Sequence, residues 1–396
     1  VLFNRPNDLQ HIVRDDVGGE LSRLGGLEGF ARSSIATVLP LAVLDSLGSS
    51  QAVSNVYFVG ACFALLFTLN VGRFERLLPR RWLLTLAMSG SVIGGLIAAL
   101  SHGPLIAIAV ALVTIEASTF TVLLALFIMD YIGRRELARN ESRRLVYSGI
   151  GWIVGPALAY TLYSGVGRWA PFVVSMVAMT TALGYFWKLR LGPNPALATP
   201  KTPAPSPFRS IPRFFHQRYL RIAFAITLMR SIYWVSFFIY APIYAIECGL
   251  PRKSVGFLVS VVAVLLLASP IIQRVAQRFS NRSMIVAGLI LVGLSLASLA
   301  EIGEPETIGL AFWVLGTMGA VVLDVVGNLP FMRTVKPRER PEMTSVFSSA
   351  RDASSLIAPG LGALVLWLGP FELYFLLLAG LSLAVAMLAT KLPRRI

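Results

Sequence analysis

Residues 192–212 read GPNPALATPKTPAPSPFRSIP. Proline has no backbone N–H and clashes with the preceding helical turn, so this run cannot be a membrane-crossing helix and reads as a semi-rigid linker. On both sides of it the sequence changes character. Apolar segments of about 20 residues, enough to cross roughly 30 Å of hydrocarbon, follow one another with short polar joints. We place them at 24–47, 52–72, 81–101, 104–132, 145–165 and 169–190 before the linker. After it they fall at 217–247, 254–274, 283–301, 307–332, 343–368 and 371–391. The expected fold is an all-α membrane protein of about twelve transmembrane helices in two pseudo-symmetric six-helix bundles. Its parts are a cytoplasmic N-terminal segment 1–23, a bundle 24–190, the Pro-rich cytoplasmic linker 191–216, a bundle 217–391 and a cytoplasmic tail 392–396.

Composition agrees with this division. Of 396 residues 56% are hydrophobic and only 14% charged, too little charge to keep a soluble domain in solution. The formal charge of +15 raises nucleic acid as a partner, but the basic residues sit in alternate short joints. Arg73, Arg76, Arg80 and Arg81 follow span 2, five arginines follow span 4, and Arg274, Arg278 and Arg282 follow span 8. The opposite joints hold Arg168, Arg252 and Lys253 beside Glu301, Glu304 and Glu306. This is the positive-inside pattern of a multi-pass protein of a bacterial inner membrane with both termini cytoplasmic, and it leaves no role for nucleic acid. Residues 1–23 lack the apolar core of a cleavable signal peptide. Cys62 and Cys248 lie in or at the end of apolar spans, and His11, His102 and His216 are scattered. They form neither a disulfide framework nor a metal site, and no nucleophile–base pair marks an enzyme.

The two halves share landmarks. Span 1 contains Gly29-Phe30-Ala31-Arg32-Ser33 and span 7 Thr227-Leu228-Met229-Arg230-Ser231. Arg32 to Arg73 is 41 residues and Arg230 to Arg274 is 44. Ile153-Val154-Gly155-Pro156 in span 5 matches Ile357-Ala358-Pro359-Gly360 in span 11. The joint after span 2, Gly72-Arg73-Phe74-Glu75-Arg76-Leu77-Leu78-Pro79-Arg80-Arg81, keeps an acid–base pair and a double arginine. With these features the chain resembles the major facilitator superfamily. That resemblance implies two bundles around a central cavity, lined by helices 1, 4, 7 and 10 and working by alternating access. It implies gating contacts at Glu75, Arg76, Arg81 and Arg278, although Gln277–Arg282 lacks the acid of the first copy. Gly151-Trp152-Ile153-Val154-Gly155-Pro156 resembles the glycine–proline motif of the superfamily's antiporters, with Ala159-Tyr160 where a glycine pair is typical. Gly151, Gly155, Pro156 and Pro359 are expected to serve helix packing and bending.

Charges within spans carry the functional reading. Arg32, Arg230 and Arg351 are the basic ones, and Glu28, Glu116, Asp324 and Asp352 the acids. An arginine at mid-bilayer costs about 2.5–3.5 kcal/mol on insertion scales, so these groups must face one another or a wet cavity. Glu28 and Arg32 are four apart on one helical face, the spacing of an intrahelical pair. Glu116, Asp324, Glu28 and Asp352 are candidate proton carriers, since an arginine moving away from a carboxyl promotes proton uptake. Arg32, Arg230 and Arg351 are candidate ligands for an anionic or zwitterionic solute. Tyr233, Trp234 and Phe237 form an aromatic wall beside Arg230 suited to an amphipathic one. The expected protein is therefore a proton-coupled exporter of a small organic solute, an antiporter acting as a monomer in lipid without cofactor. An anion uptake or exchange carrier is the first alternative, and a non-transporting membrane sensor the second.

Overall fold

The computed structural model describes residues 17–131, 137–189, 207–265, 269–335 and 340–393. Six helices form the first half: α1 (Val17–Leu47), α2 (Ser50–Leu77), α3 (Arg80–Leu100), α4 (Ile106–Tyr131), α5 (Leu137–Gly165) and α6 (Ala170–Lys188). A short α7 (Pro207–His216) leads into the second half. There α8 (Arg218–Glu247) is followed by α9 (Arg252–Leu265), α10 (Ser269–Arg278), α11 (Asn281–Ile302) and α12 (Thr307–Val326). The last three are α13 (Leu329–Thr334), α14 (Arg340–Leu368) and α15 (Glu372–Ala389).

The joints are built by local chemistry. Ser49 caps α2 by accepting from the Ala52 N–H, and Ser280 caps α11 by accepting from Ser283. The spans α1, α8 and α11 each stop at a glycine of positive φ, namely Gly48 (76°), Gly249 (77°) and Gly303 (72°), a conformation that strains any side chain. Packing repeats between the halves. The contacts α1 with α4, α1 with α5, α3 with α4 and α3 with α6 recur as α8 with α12, α8 with α14, α11 with α12 and α11 with α15. The result is the two six-helix bundles the sequence predicts. In α1 and α8 the apolar stretch is 72% and 67% buried, more than in the other seven long apolar helices among the described residues, as expected of central helices.

Some boundaries differ from the expected ones. α1 begins at Val17 rather than residue 24, and α5 at Leu137 rather than 145. Polar first turns continue a helix wherever backbone hydrogen bonds can still form, so hydropathy underestimates helix length. The tenth span is two helices, because Pro330 opens α13 without an N–H to give and the chain turns at Gly327–Asn328. The eighth span is described as α9 and α10, with 266–268 between them. Residues 207–216 of the linker are helical, and Phe214 is buried on Phe331, which stacks on Phe347 at 4.1 Å. The rest of the linker and residues 1–16 and 394–396 lie outside the described residues.

Among the described residues nine helices are long and apolar enough to cross a membrane. The expected spans missing from that set are the fifth, eighth and eleventh. These pack across the junction between halves, α5 on α9 and α14 on α2. Of these, α14 carries Arg351 and Asp352 inside its span, charges that a lipid-facing helix would not tolerate.

Candidate functional site

Two charge clusters, one per half, face a common cavity. In the first half Glu28 and Arg32 form an ion pair of 2.9 Å along α1, with Glu28 almost fully buried. Arg144 of α5 also lies within electrostatic reach of Glu28. Behind them on α4, Glu116 is 1% exposed and close enough to feel the charges of Glu28 and Arg32. Both carboxyl oxygens of Glu116 lack a hydrogen-bond partner among the described residues. Glu116 therefore sits behind the cavity wall, against α1, and not in the lining expected for it.

In the second half Arg230 Nε lies 3.2 Å from Asp324 Oδ1. The Trp234 indole N–H donates to Asp324 Oδ2 at 2.9 Å, and Arg230 Nη1 donates to Asn328 Oδ1 at 3.4 Å. Asn328 reaches this position because the tenth span breaks at Gly327. Asn328 carries no charge and is not among the residues the sequence singles out, although Gly-Asn-Leu-Pro is a legible helix-stop signal.

Between the clusters lies a cavity of about 560 Å³. Arg32, Arg230, Arg351 and Asp352 bring their charges to its wall, and Thr114, Ser118 and Thr121 of α4 line it with hydroxyls. Its lining reaches Ala125, Phe347 and Ser348, towards the arginine-rich end of the molecule. A second cavity of about 370 Å³ adjoins it, with Trp152, Trp234 and Phe238 as aromatic walls and Asp324 and Arg351 at its polar side. The Trp152 and Phe238 rings meet across the two halves at 5.0 Å, and Phe238 stacks on Trp234 at 5.8 Å. The Arg32 guanidinium lies 6.0 Å over the Trp152 ring. In the sequence Trp152 belongs only to a packing motif; its place here depends on the approach of α8, which no local pattern encodes.

Other expected residues fall elsewhere. Tyr233 and Phe237 are fully buried and line neither cavity. The Tyr233 hydroxyl bonds to the Trp313 carbonyl and the Thr317 hydroxyl, so it pins α8 to α12. Of the gating set, Glu75 pairs with Arg80 at 2.8 Å. Arg81 lies over Trp187 at 5.9 Å, Arg278 is exposed, and the Arg76 side chain lies outside the described residues. Gly151 packs on α1 so closely that a Cβ would lie 2.7 Å from the Phe30 nitrogen, and a Cβ on Gly155 would overlap the Ser33 hydroxyl. On the facing side Gly29 does the same work, its Cβ position 3.2 Å from Ser148 Cα. Pro156 turns its carbonyl towards Gly256 of α9, and Pro359 lies within α14 beside Gly360, which abuts the Phe58 ring.

At the far end of the molecule the two halves are joined by hydrogen bonds. Ser54 and Tyr240 share a hydrogen bond of 2.8 Å, and Ser50 donates to Glu247 at 3.4 Å. A charged cavity closed at one end, between two bundles that repeat each other's packing, defines a membrane carrier for small solutes. A sequence profile of the Major Facilitator Superfamily matches residues 24–268 and 249–395, and the chain belongs to that superfamily. It is thus a multi-pass membrane protein of a superfamily of transporters. Over 247 residues it is 26% identical to sugar efflux transporter A of Dickeya chrysanthemi, a match covering 61% of this chain and 58% of that protein. The chain thus spans little more than half the length of that curated relative. Solved structures of the same fold include a POT family transporter in complex with 5-aminolevulinic acid (TM-score 0.74, 12% identity, 93% of this chain and 94% of that one). The nucleoside transporter NupG is similar with a TM-score of 0.73 at 13% identity, over 95% of this chain and 99% of that one. A D-xylose-proton symporter gives 0.72 at 12% identity, over 96% and 98%.

Proposed function

We propose that this transporter exports a small organic solute from a bacterial cell in exchange for protons. The carrying observation is Glu116, a buried carboxyl with no hydrogen-bond partner among the described residues, beside the Glu28–Arg32 pair. A bare carboxylate so placed costs several kcal/mol, and a bound proton removes the charge. The arginine-rich end faces the cytoplasm on this reading, with both termini there. The cavity then opens inward and the Ser54–Tyr240 contact closes the outer side. Solute enters between Arg32, Arg230 and Arg351. Rocking of the halves leaves each ion pair within its own half but parts the two clusters and turns their cavity to the outside, where Glu116 or Asp324 takes up a proton as solute leaves. Glu28 and Asp352 tune these sites by charge, and Trp234 holds the Asp324 carboxyl in place. The sugar-efflux relative supports the outward direction.

Everted membrane vesicles test this. Energised vesicles, acid inside, are expected to accumulate a solute found by thermal-shift screening of glycosides, carboxylates and organic cations, and an uncoupler is expected to abolish accumulation. Accumulation only in right-side-out vesicles would favour an anion uptake carrier, the reading suggested by three arginines on one cavity wall.

A further inference from the structure

The two adjoining cavities share Arg351. Arg32 and Arg230 are each neutralised by an ion pair, with Glu28 and Asp324. Arg351 has no carboxylate within ion-pair distance among the described residues, although Asp352 follows it in the chain and lines the larger cavity. It is the cation left to receive an anionic group of a ligand, and guanidinium suits a carboxylate. The larger cavity has a particular polarity. Thr114 and Thr121 donate their hydroxyl hydrogens to the Val110 and Ala117 carbonyls of their own helix, and Ser355 donates to the Arg351 carbonyl. What these oxygens have left is acceptor capacity, which a ligand rich in O–H donors satisfies. The smaller cavity offers flat apolar walls at Trp152, Trp234 and Phe238.

We infer that the substrate is an amphipathic anion. Its carboxylate sits on Arg351, its hydroxylated body in the larger cavity, and a flat apolar group in the aromatic cavity. This rests on the transport reading for its biological sense, but its test does not. Three probes separate the parts: phenyl β-D-glucuronide carries all of them, phenyl β-D-glucoside lacks the charge, and glucuronate lacks the phenyl group. Calorimetric titration of purified protein in lipid nanodiscs, at one pH and without a gradient, is expected to rank the glucuronide about tenfold tighter than either fragment, about 1.4 kcal/mol in each case. R351Q should erase the preference for glucuronide over glucoside, R351K should retain part of it, and F238A should shrink the preference for glucuronide over glucuronate. Equal affinities in the unaltered protein overturn the proposal, as do undiminished preference in R351Q or no binding by any probe. Those failures leave vesicle accumulation untouched, whereas loss of gradient-driven accumulation with the ranking intact would sink only the coupling.

Discussion

At the scale of single residues the molecule is organised by a few charges kept out of water. Glu116→Gln fixes the side chain in an uncharged form and so removes the proton cycle while preserving shape. Vesicles carrying it should equilibrate solute across the membrane yet fail to accumulate it, which counterflow and uphill assays on one preparation distinguish. Arg32→Ala strands Glu28 in a buried position and should destabilise by about 3–5 kcal/mol, the range for breaking a buried pair. Adding Glu28→Gln should recover most of that loss, and a thermal melt showing the double variant no better than the single one would refute the coupling. The Glu28–Arg32 pair was legible in the sequence because it is local, four residues along one helix. The Arg230–Asp324 pair was not, since only folding brings α8 against α12. Tyr233 and Phe237 show the complementary limit. Helical spacing gives the angle between side chains, but α8 is buried nearly all round, so its pattern has no solvent side from which to tell cavity from packing.

At the scale of helices, function depends on how closely α1 and α5 approach. Gly29 and Gly151 let backbones touch, a device read from sequence for Gly151 but missed for Gly29. Gly151→Ala pushes a methyl group onto the Phe30 backbone and should cost about 1–3 kcal/mol by overpacking. Gly149→Ala, two positions away in the same helix with nothing within 4 Å of its Cβ, should be neutral or stabilise by up to about 1 kcal/mol through helix propensity. Melting both variants in one detergent checks the contrast. Helix existence was legible throughout because apolar runs are long. The break before α13 was overlooked because the surrounding apolar run outweighed Gly327, Asn328 and Pro330.

At the scale of the whole molecule the two halves meet in the described hydrogen bonds at one end and are held apart by a cavity towards the other. With Cys62 and Cys248 replaced, cysteines at Ser54 and Tyr240 bridged by a short bis-methanethiosulfonate reagent, which spans the gap the tyrosine ring leaves, should arrest transport, and reductant should restore it; a bridged protein that still turns over would exclude rocking at this junction. The duplication was legible in matched landmarks, whereas which helices cross between halves was not, because no local pattern in α2, α5, α9 or α14 encodes a contact partner. One junction has an optical consequence. Trp152 of one half rests on Phe238 of the other, which in turn stacks on Trp234, so two of the seven indoles change surroundings whenever the halves part. Difference emission between the unaltered protein and Trp152→Phe should then shift in wavelength as the cycle proceeds, giving a label-free, real-time record of each turnover from chromophores the protein already owns.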